Sequence, residues 1–396
     1  MTLRIGFVTP RYGPQVIGGA ELGVRLLAEH LVSLGRAEVE VFSTCAVDAG
    51  TWADVLPAGM STENGVSVHR FMSRSGRHVD FDALSEPVLR RSEDTPLADA
   101  QRWVEHQGPW CPDLLAGVES SACDVVAFSP YLYWPIVHGI TASTKPVLLH
   151  GAAHDEPPFY LPVYDEVFER ASGLVFYTHG ERALVERRFP SVTSAPQIVL
   201  GLGSDAGAGD VGAARRAVGL SADRPYLVCV GRVDQGKGIE TLVRFFAQYK
   251  TRHPSDLALV IVGPVVHQPP EHRDVIVAGR VDETVKWGLL SSAQILVSPS
   301  GFESFSFVVL EAWHAGTAVL VNGRCDATRE HCERSGGGLW FGDYPTFEVC
   351  LERMLGPSAL TDAMAALGRR YVRENFTWEI VTDRYVSFID RLLASR

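Results

Sequence analysis

The chain has 396 residues, too many for one compact core and suited to two domains of about 100–200 residues each. Hydrophobic residues make up 46% of it, alongside 37 Gly and 23 Pro, which excludes disordered and collagen-like chains. The formal charge of -11 argues against nucleic acids and strongly anionic membranes as partners, because both select basic surfaces.

The start, "MTLRIGFVTPRYGP", has one short strand-like run and lacks the long apolar region of a secretory signal. Short apolar runs then alternate with helical patterns. In the first half the runs are "RIGFVTP", "VEVFST", "VVAFSP", "PVLLHG" and "GLVFYTH". In the second half they are "QIVLGLG", "PYLVCVGR", "LALVIVGP", "VIVAGRV", "ILVSPS" and "TAVLVNG". Near-continuous apolar strands belong to sheets covered on both faces by helices, so the alternation predicts two doubly wound α/β domains. None of these runs approaches the roughly 20 residues that span a bilayer.

Residues 190–210 are rich in Gly, Pro, Ser and Ala and read as a linker. The expected domains are therefore residues 1–198 and 199–375, with a final helix over 376–396. In that helix Trp378, Val381, Tyr385, Phe388 and Leu392 fall on one face, as a packing helix requires. The seven cysteines form no CxxC pair, so buried thiols in a reducing cytoplasm are expected rather than disulfides or zinc.

The stretch "VGRVDQGKGIETL" comes close to a phosphate-binding P-loop, but Gly238 stands where a metal-ligating hydroxyl belongs. Between a strand and a helix, Gly236 and Gly238 allow a tight turn, and Arg232 and Lys237 bring two cations to a helix N-terminus. Two cations neutralise a diphosphate without Mg²⁺. A second motif, "SPSGFESFSFVVLEAWHAG", sets Glu303 and Glu311 eight positions apart, with a helix expected to start near Ser304. At about 1.5 Å per residue this is roughly 12 Å along the axis, close to the span from a sugar across a diphosphate to a ribose. Carboxylates accept from paired hydroxyls, and the free amides of Ser304, Phe305, Ser306 and Phe307 suit the phosphates between them.

"GRVDQGKG" followed by "ESFSFVVLEA" resembles glycosyltransferase family 4, and "GPQVIGGAELGVRLLAEHL" resembles that family's N-terminal Gly-rich loop. The resemblance spans nearly the whole chain and is looser between residues 50 and 125. It implies the GT-B fold: two Rossmann-like domains facing a cleft, an acceptor-binding N-terminal one and a nucleotide-sugar-binding C-terminal one, with the last helix crossing back. It implies a retaining, metal-independent, hexosyltransferase-like enzyme with a nucleotide-diphosphate sugar as donor and no cofactor. Carried over, Arg232 and Lys237 hold the diphosphate, Glu303 the donor sugar and Glu311 the ribose, while Gly18 and Gly19 approach from the first domain. Ser306 departs from the Gly that is frequent in the family and narrows the sugar pocket. A histidine ending a first-domain strand reaches the sugar in this family; "PVLLHGAAHDEPPFY" offers His150, which fits the strand end better, and His154.

"VAGRVDETVKWGLLSSAQ" resembles the base-binding segment of phosphatidylinositol mannosyltransferases, which use GDP-mannose. Glu283 or Asp282, with Lys286 nearby, offers one carboxylate for the two adjacent donors of guanine, which favours GDP slightly over UDP. For the acceptor, a sugar, lipid or small metabolite, Trp110, Tyr131, Tyr133 and Trp134 offer stacking faces, or they are core. Arg70, Arg74 and Arg77 offer charge to an anionic acceptor, or line a solvated loop. Competing readings are a metal-dependent GT-A transferase using Asp80 and Asp82, a GT-B sugar-nucleotide epimerase or phosphorylase, and a non-catalytic sugar-nucleotide binding protein.

Overall fold

A computed structural model describes residues 2–16 and 18–395, with the backbone alone at Gln235. The chain divides into two units, residues 1–203 with 378–396, and residues 204–377.

In the first unit the strands are β1 (Arg4–Val8), β2 (Glu38–Thr44), β3 (Gly59–Glu63), β4 (Val66–Phe71), β5 (Val125–Phe128), β6 (Val147–His150), β7 (Gly173–Phe176) and β8 (Gln197–Val199). Its helices are α1 (Gly19–Ser33), α2 (Phe81–Arg90), α3 (Leu97–Gln107), α4 (Pro112–Ser120), α5 (Trp134–Ala142), α6 (Val163–Arg170) and α7 (His179–Arg188). The sheet runs β3-β4-β2-β1-β5-β6-β7-β8, parallel except for β3 against β4. The β3–β4 hairpin is an addition to the expected strands: Gly59–Glu63 is mostly exposed and carries no apolar run. "QIVLGLG", read with the second half, supplies β8 at the edge of this first sheet.

Alternation along the strands feeds two cores. Val8, Phe42, Phe128, Leu149 and Phe176 face one layer of helices. Ile5, Phe7, Val41, Leu148 and Val175 face the other. That second layer includes the last helix, α15 (Trp378–Ala394), whose Trp378, Val381, Tyr385, Phe388 and Leu392 are all buried in it. The five residues sit on one stripe at helical spacing, and the stripe finds the sheet face left open beside α1.

The second unit has β9 (Tyr226–Val230), β10 (Ala258–Val262), β11 (Val275–Gly279), β12 (Ile295–Ser298), β13 (Val319–Asn322) and β14 (Gly338–Phe341). Its helices are α8 (Val211–Ala217), α9 (Ile239–Arg252), α10 (Glu283–Ser292), α11 (Phe307–Ala315), α12 (Asp326–Ser335), α13 (Tyr344–Leu355) and α14 (Ser358–Asn375). Its sheet is β11-β10-β9-β12-β13-β14, parallel throughout. The strand order reverses between β9 and β12, so the loops leaving these two strands are neighbours although about 70 residues separate them. Among the described residues no helix is long and apolar enough to cross a membrane. All seven cysteines are free thiols, six of them buried.

Candidate active site

The loop after β9 is built by its own sequence. The Asp234 carboxylate accepts the amide of Lys237 at 2.9 Å and pairs with the Arg232 guanidinium. Gln235–Lys237 then forms a 3-10 turn, and Gly238 opens α9 at φ 68°. A Cβ on Gly238 would stand 2.6 Å from the carbonyl oxygen of Pro299 in the loop after β12. Only glycine both adopts that backbone and lets the two loops touch.

Lys237 Nζ donates to Glu303 Oε1 at 2.7 Å, the two side chains being 29% and 20% exposed. Eight residues on, Glu311 receives Lys286 Nζ at 2.8 Å, and Lys286 lies 2.8 Å from Glu283 Oε2 as well. Burial works against the Lys286 ammonium, yet Glu311 and Glu283 outweigh it and its pKa is raised. The structure thus joins four of the expected residues in two ion pairs, with Lys286 bound to the expected ribose carboxylate as well as to Glu283. Arg232 is exposed and held by Asp234, while Glu283 is 76% exposed. Asp282 caps α10.

The expected helix start near Ser304 is displaced. Helix α11 begins at Phe307, and Ser306 precedes it at φ 71° and ψ 78°, a left-handed conformation rare for a residue with a Cβ. Its buried hydroxyl has no partner among the described residues. Phe305 is 2% exposed, so the site receives its backbone and not its ring. His331 of α12 fixes this loop from beneath: Nε2 donates to the Phe305 carbonyl at 2.9 Å, and Nδ1 faces the Tyr371 hydroxyl at 3.4 Å. Burial pushes the His331 pKa down to about 4. His331 and Asp234 escaped the sequence reading; the Asp-x-x-Lys turn spacing was a usable signal for Asp234, whereas nothing local marks His331.

In the first unit Gly18 precedes α1 in an extended conformation, and a Cβ there would run into the Glu21 carboxylate. Glu21 forms a buried ion pair with Arg11, whose guanidinium lies 5.8 Å from the Trp52 ring centroid. Gly19 faces open space among the described residues.

The two histidines part ways. His150 is fully buried, and its Nε2 shares a 2.9 Å hydrogen bond with the Tyr385 hydroxyl of α15. Along β6, His150 points to the same side as Leu148, the side that α15 covers. Burial pushes its pKa down to about 3, so it is neutral. The expectation that His150 reaches the sugar is corrected: it is a core residue in this structure, because a helix from the end of the chain closes over the strand end. His154, half-buried in the following loop, is the other of the two.

The acceptor candidates also divide. Tyr131 is 1% exposed, packed against Phe159 and Tyr164, with its hydroxyl on Glu156 at 3.1 Å, so it is core and not a stacking face. Trp134 is buried too, bonded to Glu105. Tyr133 is half-buried at φ 73°, edge-on to Trp52 at 5.0 Å, and Trp110 is exposed beneath Arg74. Of the three arginines, Arg70 is buried on Glu63 and the Tyr12 carbonyl, Arg74 pairs with Asp113, and Arg77 covers the Phe81 ring. Asp80 and Asp82 flank that buried Phe81 as exposed residues at the start of α2.

One buried acid was not anticipated. Glu181, 6% exposed in the first turn of α7, accepts the amides of Ala153 at 2.9 Å and Tyr177 at 2.7 Å. Burial pushes its pKa up to about 7, against the backbone hydrogen bonds that favour the carboxylate. The spacing Thr178-x-x-Glu181 of a capping box was the available signal.

The family described as Glycosyl transferases group 1 matches residues 224–356, from β9 through α13. In fold, the chain is similar to sucrose-phosphate synthase from Thermosynechococcus elongatus, with a TM-score of 0.73, 19% identity and all of both chains covered. It is similar also to Anabaena HepE in complex with UDP and glucose, with a TM-score of 0.70, 18% identity and coverage of 98% of this chain and 100% of the other. These are GT-B structures, and the two parallel-sheet units here share that fold. A D-inositol 3-phosphate glycosyltransferase of Kribbella flavida is 30% identical over 329 residues, which cover 76% of this chain and 74% of the relative. With two such units, a matching family domain and a relative this similar over three quarters of its length, the chain belongs to the group 1 glycosyl transferases and is a glycosyltransferase of the GT-B type.

Proposed function

We propose that this transferase moves a sugar from a nucleoside diphosphate sugar to a hydroxyl acceptor, with retention at the anomeric carbon and without a metal ion. The observation that carries the reading is the pair of lysine–carboxylate contacts at the strand-order reversal, Lys237 with Glu303 and Lys286 with Glu311. In this reading the donor diphosphate displaces Glu303 from Lys237, and the nucleoside displaces Glu311 from Lys286. Lys237 and Arg232 take the phosphate charge, Glu303 accepts from the sugar hydroxyls and Glu311 from the ribose. The amides from Ser304 to Phe307 serve the phosphates, and Glu283 with Lys286 meets the base. The second unit is then the nucleotide-sugar domain and the first the acceptor domain.

Chemically, the bond from the anomeric carbon to the diphosphate oxygen breaks, and a bond to the acceptor oxygen forms on the same face. The acceptor proton passes to the departing phosphate. The two cations stabilise the charge that grows on the leaving group, which is where preorganised charge accelerates a reaction most. His154 is the histidine this reading assigns to the sugar. A polyol or sugar acceptor is supported by the relative named for D-inositol 3-phosphate. Guanine is the base that an unpaired Glu283 would select; its contact with Lys286 reduces that preference, and the UDP bound by HepE supports uridine as the competitor to test. The free cysteines suit a reducing compartment such as the cytoplasm.

The test incubates the protein, in EDTA, with UDP- and GDP-sugars and a panel of inositol, inositol phosphate and hexose acceptors. Nucleoside diphosphate released only with an acceptor, together with a product of unchanged anomeric configuration, supports the reading. Release independent of any acceptor, or activity that returns only with Mn²⁺, removes it.

A further inference from the structure

We propose that Glu181 is a positioning residue for the transfer reaction: its buried carboxylate latches the turn after β6, which carries His154, to the turn after β7. This deepens the proposed function and rests on its assignment of His154 to the sugar.

The local sequence would ordinarily make Glu181 a plain capping residue. Thr178 caps α7, accepting the Glu181 amide on its side chain at 3.1 Å, and a Glu at this spacing normally folds back on the cap in solvent. Here it is buried and its two oxygens serve different loops. Oε2 holds the Tyr177 amide beside its own helix, and Oε1 holds the amide of Ala153, 28 residues away. The amides of Ala152 and Thr178 also favour its charged form. These backbone amides favour the carboxylate against the cost of its burial.

The held turn is a strained one. Ala152 sits at φ 49°, in the left-handed region that disfavours any residue with a Cβ. Ala153 follows with its amide fixed, and His154 comes next. The latch therefore sets the direction in which the chain leaves β6 immediately before the histidine. A carboxylate is required because both oxygens must accept; the amide of a glutamine offers one acceptor and turns an N–H toward a second N–H.

The experiment compares wild type, Glu181→Gln, Glu181→Asp and His154→Ala. Deuterium exchange is followed at residues 151–154, and turnover is followed as nucleoside diphosphate released from UDP-glucose or GDP-mannose in the presence of the inositol, inositol phosphate and hexose acceptors. For Glu181→Gln the expected result is at least tenfold faster exchange at Ala153. Its kcat should fall about 10–100-fold with donor KM within about twofold, at a folded fraction equal to wild type. Glu181→Asp, which keeps both acceptors, should recover part of kcat. Unchanged exchange in Glu181→Gln overturns the latch whether or not either donor is consumed. Wild-type kcat in a Glu181→Gln that exchanges faster also overturns the positioning role. Wild-type turnover in His154→Ala removes the assignment of His154 instead, and the exchange result then stands or falls by itself.

Discussion

Ser306 concentrates two local penalties in one residue. A left-handed backbone costs a residue with a Cβ about 1–2 kcal/mol, and a buried hydroxyl without a partner costs about 1–3 kcal/mol. Glycine would remove both while losing about 0.5–1 kcal/mol to chain entropy. Ser306→Gly should therefore stabilise the second unit by about 1 kcal/mol or more, read from the denaturant midpoint of that unit. A lower midpoint would mean that the hydroxyl contributes to the fold. The proposed donor contacts separate in kinetics. Lys237→Ala and Arg232→Ala remove charge that matters most as the diphosphate leaves, and should lower kcat about 100-fold. Glu311→Ala removes a contact made equally before and during reaction, and should raise donor KM about 10-fold with kcat nearly kept. Wild-type kinetics in all three would place the donor elsewhere.

Helix α15 buries His150, the histidine expected to reach the sugar. Tyr385→Phe breaks its one hydrogen bond and leaves Nε2 buried, at a cost of about 1–3 kcal/mol. Urea unfolding should register the loss while donor KM stays constant; a change in KM at full folding would return His150 to the site. His150 and His331 share a pH signature. Both have folded pKa values below the ordinary imidazole value, about 3 and about 4, so the unfolded chain binds more protons below about pH 6.5. Stability should fall from about pH 6.5 toward pH 4, with each histidine adding up to about 1.4 kcal/mol per pH unit. His331→Gln should flatten that slope, and an unchanged slope would show that His331 is already protonated in the fold.

These elements also mark what the sequence reveals. The apolar strands and the α15 stripe were legible because burial on both faces of a sheet, or on one face of a helix, leaves a periodic trace. The β3 strand was not, because its edge residues are exposed and polar. The start of α11 was misplaced by three residues because nothing in "ESFSF" announces a left-handed Ser. His150 was misread because strand position is local, whereas its burial depends on residues 235 positions away.

For the whole molecule, the site is a consequence of topology. Lys237 and Glu303 meet because β9 pairs with β12 and the strand order reverses there, and the charged motifs were readable while their pairing partners were not. Lys286 was assigned to the base from its neighbour Glu283; only the packing of α10 on α11 brings it to Glu311. At this scale the base is tested at Glu283. Glu283→Ala should weaken GDP more than UDP if the carboxylate reads guanine, and equal small losses would leave UDP.

The central claim is that the cluster around Lys237 binds a nucleoside diphosphate without a metal. Its most direct test is calorimetric titration of UDP and GDP into wild type and Lys237→Ala, in EDTA. The account predicts saturable binding of at least one diphosphate to wild type, at least tenfold weaker in Lys237→Ala. Equal affinity in the two proteins, or binding that appears only when Mg²⁺ or Mn²⁺ is restored, would contradict it.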